Sequence, residues 1–121
     1  MDDGVDPIFL IDEIDLRSDS VDALLASFRT RYLPGARERG MELVHTLVTP
    51  PEGPTNGEAT LLLFWKISGI AGFWAMRSAN ATPEIAEFWR ECDALCIRRT
   101  RRFAVEADAR GGFTALGRAS G

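Results

Sequence analysis

Histidine occurs once in the 121-residue chain, as His45, and cysteine twice, as Cys92 and Cys96. These are too few side chains for a Cys/His zinc site and too few thiols for a disulfide scaffold. The i, i+4 spacing of the cysteines on a helical segment suits two buried apolar thiols, and a reducing, cytoplasmic compartment is the plain reading. Positive charge is also short: 14 Lys and Arg stand against 18 Asp and Glu, a net charge of −4. A protein that holds nucleic acid through phosphate contacts carries the opposite balance, so no nucleic-acid partner is expected. No Walker loop, G-x-G-x-x-G, G-x-S-x-G or H-E-x-x-H is present, which leaves nucleotide cofactors and the usual serine or zinc hydrolase chemistry without support. The expectation is no cofactor and no metal. The acidic start, Met-Asp-Asp-Gly-Val-Asp, lacks the basic segment and apolar run of a signal peptide. The nearest thing to a membrane span, residues 59–76, has Lys66 near its centre and Gly69 and Gly72 in its second half. A central lysine costs about 2.5–3.5 kcal/mol on insertion scales, so a buried strand running into a helix explains the stretch better, and no membrane partner is expected.

What is present suits one globular domain. Hydrophobic residues make up 45% and charged residues 26%, ordinary globular usage that excludes wholesale disorder. Residues 7–16 alternate as a strand, with Ile8, Leu10, Ile14 and Leu16 on the core parity and Asp12 as the anomaly among them. Ser18 and Ser20 are candidate caps for an amphipathic helix carrying Val21, Leu24, Leu25, Phe28 and Tyr32. Pro34-Gly35 breaks or kinks that helix, and Gly40 ends it. Residues 41–49 form a second strand, with Leu43, His45 and Leu47 sharing one parity. Residues 50–58 are a loop, 59–67 a third strand and 69–80 a short helix. Thr82-Pro83-Glu84 opens a helix with Ile85, Phe88, Trp89, Cys92, Leu95 and Cys96 on its apolar stripe. Residues 97–106 alternate as a fourth strand. The domain therefore spans 7–106, between an N-terminal tail at 1–6 and a flexible, glycine-rich tail at 107–121.

The order βαββαβ predicts an α+β fold, a ferredoxin-like antiparallel sheet with helices on one face. Strands two and three are apolar on both parities. One face serves the chain's own helices; the other needs a second cover, and a homodimer would supply it.

With that order, the strand ending LLLFW and the run TPEIAEFW…IRRTRRF, residues 7–106 resemble the dimeric α+β barrel superfamily. That group includes cofactor-free polyketide cyclases, quinone-forming monooxygenases, and EthD-like and NIPSNAP-like proteins. The resemblance implies sheet-to-sheet dimers and aromatic-lined cavities between sheet and helices. The histidine that some cyclases place before the second helix has no counterpart in Ser78-Ala79-Asn80-Ala81-Thr82, so that catalytic pair is not carried over.

The candidate catalytic residues are His45, Asp12, Arg99 and Tyr32. His45 has the only side chain with an ordinary pKa near neutrality and could act as a base, or simply be a satisfied strand histidine. Asp12 could orient His45 or take a substrate proton; it could equally pair with an arginine of the fourth strand, and Glu13 is the fallback base. Arg98, Arg99, Arg101 and Arg102 form a solvated rim, or one of them enters a cavity and holds a carboxylate or enolate. Tyr32 could be a pocket donor. Trp65, Phe73, Trp74, Phe88 and Trp89 are core aromatics first and candidate walls for a flat substrate second. The leading expectation is a cofactor-independent cyclase or isomerase of a hydrophobic polyketide-like or aromatic substrate. A cofactor-free monooxygenase and a non-catalytic ligand-binding dimer are the alternatives.

Overall fold

The computed structural model describes residues 7–52, 57–78 and 82–107. The expected N-terminal tail, the centre of the 50–58 loop, residues 79–81 and the C-terminal tail from residue 108 lie outside the described residues.

Strand β1 (Ile8–Arg17) alternates as its sequence requires. Ile8, Leu10, Asp12, Ile14 and Leu16 are buried, and Phe9, Ile11, Glu13 and Asp15 are half-buried on the opposite face. A 3-10 turn, Ser18–Ser20, then leads into α1 (Val21–Ser27). Neither serine caps the helix, contrary to expectation. Ser20 sits at φ −96°, ψ −7°, already wound by the preceding turn, whereas a capping side chain needs an extended backbone at its own residue.

Pro34 does not end the helix. It has no N–H to continue the i→i−4 ladder, and the chain widens into a π turn over Phe28–Tyr32, where the Leu33 N–H reaches the Phe28 carbonyl. The helix resumes as α2 (Leu33–Glu38). Gly40, at φ +88°, ends the segment in a conformation that favours glycine.

Strands β2 (Met41–Thr49) and β3 (Glu58–Ile67), helices α3 (Gly69–Ser78) and α4 (Pro83–Leu95), and strand β4 (Cys96–Ala104) complete the order. The sheet runs β2-β3-β1-β4, antiparallel throughout. This is the ferredoxin-like α+β arrangement, with the helices on one face. The core lies between them. Leu10, Ile14, Leu61, Leu63 and Trp65 rise from the sheet to meet Leu24, Phe28, Tyr32, Phe88 and Cys92 from the helices.

One irregularity decides where a key side chain points. Leu43 pairs with Trp65, but His45 pairs with Phe64 and Leu47 with Leu62. Val44 is the extra residue of a β-bulge, and everything after it changes face. Leu43 therefore faces the helices, while His45 and Leu47 face the open side. The expectation that all three share a face is corrected on this ground.

Thr82 caps α4 as expected: its Oγ1 accepts from the Ile85 N–H at 3.3 Å, with Pro83 in the first turn. Thr82→Ala is expected to lower stability by about 1 kcal/mol, read as a shift of the urea midpoint at constant slope.

Candidate functional site

Asp12 is 2% exposed, and a carboxylate at that depth must be paired. The antiparallel register sets Arg101 directly opposite it on β4. Arg101 donates from Nε at 2.7 Å and from Nη2 at 3.0 Å, a bidentate ion pair. Trp65 Nε1 donates to the same carboxylate at 3.0 Å. Burial is the largest influence on the Arg101 pKa and opposes its charge, yet the hydrogen bonds and charge of Asp12, with help from Tyr32, hold it above the ordinary arginine value.

The network continues through Tyr32, which is fully buried. Its hydroxyl oxygen accepts from Arg101 Nη2 and from Arg39 Nη2, each at 3.1 Å. The Arg39 guanidinium also lies 5.3 Å from the Tyr32 ring centroid. A row of charged and polar groups, Asp12, Arg101, Tyr32 and Arg39, therefore runs from the sheet to the end of α2.

The other candidates are placed differently. His45 is exposed on the open face, its ring 5.9 Å from that of Phe64. The sheet itself separates it from Asp12, so the pairing in which Asp12 orients His45 does not form. Arg99 does not enter the interior. It pairs with Asp93 at the end of α4 and stacks 4.4 Å from the Trp89 ring. The hydrogen bond from Arg99 holds the Asp93 carboxyl below the usual carboxylate range. Arg101 is the arginine that goes inward, because it faces Asp12 across the strand pair.

Of the five aromatic candidates, Trp65, Phe73 and Phe88 are buried, Trp89 is half-buried and Trp74 is 56% exposed. Phe28 and Tyr32 join this group. Ring centroids lie 5.8 Å apart for Phe28 and Trp65, 5.1 Å for Tyr32 and Phe88, and 5.3 Å for Tyr32 and Trp89. The interior rings are packed against one another as core.

Cys92, Asp93 and Cys96 bring one potential ligand atom each within 4.8 Å of one another. The donor set is poor for a cation. Arg99 engages Asp93, and the Cys92 thiol is pushed up to about 12, first by burial and then by the Cys96 sulfur. It stays protonated at neutral pH, where metal binding needs the thiolate.

A cavity of about 490 Å³ opens between the π turn and α2 on one side and the start of α4 on the other. Thr30, Pro34, Gly35 and Arg39 line the first wall, and Thr82, Glu84 and Ile85 the second. None of the five aromatic candidates borders it. Arg39, the link between this cavity and the buried network, is the candidate site residue that sequence reasoning missed. Its position just before the terminating Gly40 reads as an ordinary helix-end arginine, and only the folded chain turns it inward.

No protein-family model matches the chain, and no curated protein matches it. Solved structures do. A NIPSNAP family protein of unknown function from Agrobacterium tumefaciens superposes with a TM-score of 0.66 at 16% identity, covering 85% of this chain and 90% of that one. A second NIPSNAP family protein from the same organism gives 0.66 at 17% identity, covering 87% and 90%. An uncharacterized NIPSNAP domain protein from Burkholderia xenovorans gives 0.63 at 16%, covering 84% and 96%. At these identities the likeness is one of fold.

Proposed function

We propose that the chain is a small-molecule-binding module that works as a homodimer, with binding rather than proton transfer as its activity. The observation that carries this reading is the cavity between α2 and α4. Its volume of about 490 Å³ lies within the usual range for ligand pockets, roughly 300–1,000 Å³, and its lining sets the apolar side chains of Pro34 and Ile85 among polar and charged ones.

Cyclisation or isomerisation would need a free base beside the substrate. Of the bases the sequence offered, Asp12 already accepts three hydrogen bonds from Arg101 and Trp65 and His45 lies across the sheet; the carboxylates that do line the cavity, Glu38 and Glu84, are exposed to solvent. Substrate-driven oxygen activation would need the tryptophans in the pocket wall, and neither Trp65 nor Trp74 is there. The dimer is inferred from the open face, where Phe9, Ile11, Leu47, Leu62 and Phe64 stand uncovered by any helix among the described residues. They are flanked by the ion pairs Arg98–Asp15 and Arg102–Glu13. An apolar centre with a charged rim suits a second copy of the same face.

The test is a ligand-observed NMR screen of small aromatic acids, amides and alcohols against three proteins. The wild type and His45→Gln should give the same hits. Thr30→Trp, which places a ring in the cavity, should lose them. Absence of any Thr30→Trp-sensitive hit would overturn the reading.

A further inference from the structure

We propose that the cavity takes a small molecule with one carboxylate and an apolar body, and that Arg39 recognises the carboxylate. The inference rests on the reading of the cavity as a ligand site and adds the chemical class of the ligand.

The buried network is unbalanced. Asp12 is its single negative charge, and Arg101 takes that carboxylate in a bidentate pair. Arg39 is a second positive charge, and it makes no ion pair among the described residues. Its Nη2 donates to the Tyr32 hydroxyl and, at 3.5 Å, to Met41 Sδ. Its Nε and Nη1 are buried and have no hydrogen-bond partner among the described residues. A guanidinium has five N–H donors; here the one on Nε and the two on Nη1 are unsatisfied. Buried charges are ordinarily paired, and unsatisfied buried donors are destabilising. An anion delivered from the cavity that Arg39 lines would correct both faults at once.

The surroundings narrow the anion. Gly35 packs beside this end of the guanidinium: a Cβ built on it would lie 3.5 Å from Arg39 Nη1, an ordinary van der Waals contact. Nε and Nη1 are covered in this structure, so the proposed contact requires the long arginine side chain to turn these N–H groups toward the cavity that the residue lines. Pro34 and Ile85 provide apolar wall for the rest of the ligand. Glu38 and Glu84 also line the cavity, both exposed. The nearby Arg31 is engaged by Glu91 at 3.1 Å. One available cation beside two carboxylates favours a monoanion over a dianion such as a phosphate monoester.

The experiment titrates wild-type protein with 3-phenylpropanoate, its neutral isostere 3-phenylpropanamide, and the dianion phenylsuccinate. The propanoate should bind at least about tenfold more tightly than the amide, the scale of a charge-assisted hydrogen bond, and more tightly than the dianion. The Arg39 Nε–H resonance should shift with the propanoate and stay in place with the amide. Arg39→Met should remove the preference, so that both ligands bind as the amide does. Equal binding of acid and amide to the wild type, lost together in Thr30→Trp, would overturn the carboxylate assignment and leave the ligand site standing. A preference that survives in Arg39→Met would overturn it as well. Should that variant not fold, the wild-type acid-to-amide ratio and the Arg39 resonance decide the matter. If no ligand binds in any arm, the ligand site and this inference fail together.

Discussion

Asp12→Ala is expected to destabilise the fold by about 3–5 kcal/mol, the usual cost of breaking a buried ion pair from one side. The substitution removes both carboxylate acceptors of Arg101, leaving it the Tyr32 hydroxyl, and the acceptor of the Trp65 indole N–H. Arg101 retains a route to water, since its side chain is 26% exposed, whereas Trp65 is fully buried and leaves a donor with no partner. Domains of this size have total stabilities on the order of 5–15 kcal/mol, so the variant should be near the edge of folding. The companion experiment separates the worth of the pair from the cost of orphaning its members. Asp12→Leu combined with Arg101→Met should be less destabilised than the sum of the two single changes, because no uncompensated charge remains. Urea denaturation of the four proteins measures the coupling. A cost below about 1 kcal/mol for Asp12→Ala would mean that the carboxylate is not held as described.

Phe64→Lys is the second large effect, and it acts on assembly. Phe64 lies on the open face, opposite Ile11 on one side and His45 on the other. In a two-fold dimer the substitution appears twice, placing two like charges at one apolar centre. Losses of about 2 kcal/mol for each central aromatic, counted for both copies, amount to roughly a thousandfold weaker dimer. Sedimentation should give a wild-type particle of about twice the 13.3 kDa chain mass and a folded monomer for Phe64→Lys. A wild type that is monomeric at micromolar concentration, or a variant that stays dimeric, would place the interface elsewhere or remove it. The His45 ring, 5.9 Å from Phe64, should report the change through its NMR signals.

Much of the fold was legible in the residue pattern. Period-two alternation in β1 and β3, the three-and-four spacing of Leu24, Phe28 and Tyr32, and Thr82-Pro83-Glu84 at the head of α4 are local signals. Each depends on residues a few positions apart, and the tertiary structure preserves them. The same holds for Asp12 as an anomaly: a carboxylate at a core position of a strand announces that something must neutralise it. Its partner is also near the surface of the sequence, because in a βαββαβ chain the first and fourth strands are neighbours and the fourth carries the arginines.

The site was much less legible, for reasons of register and face. One inserted residue at Val44 sends His45 to the open side of the sheet, and the sequence of β2, apolar on both parities, holds no mark of where the insertion falls. The choice of Arg101 over Arg99 depends on pairing with β1, a contact 89 residues distant in the chain. The helical spacing puts Tyr32 on the core face, but only the folded chain brings Arg39 and Arg101 to its hydroxyl from either side. Arg39 carries no unusual signal in its own neighbourhood; its unsatisfied donors exist only once α2 has closed against the sheet. What the sequence determined by itself was therefore secondary structure, the helix-covered core and the presence of one buried charge. Tertiary structure alone decided which arginine met that charge, which faced the cavity, and on which side of the sheet the single histidine came to lie, because each of these is fixed by contacts between segments that the chain order does not adjoin.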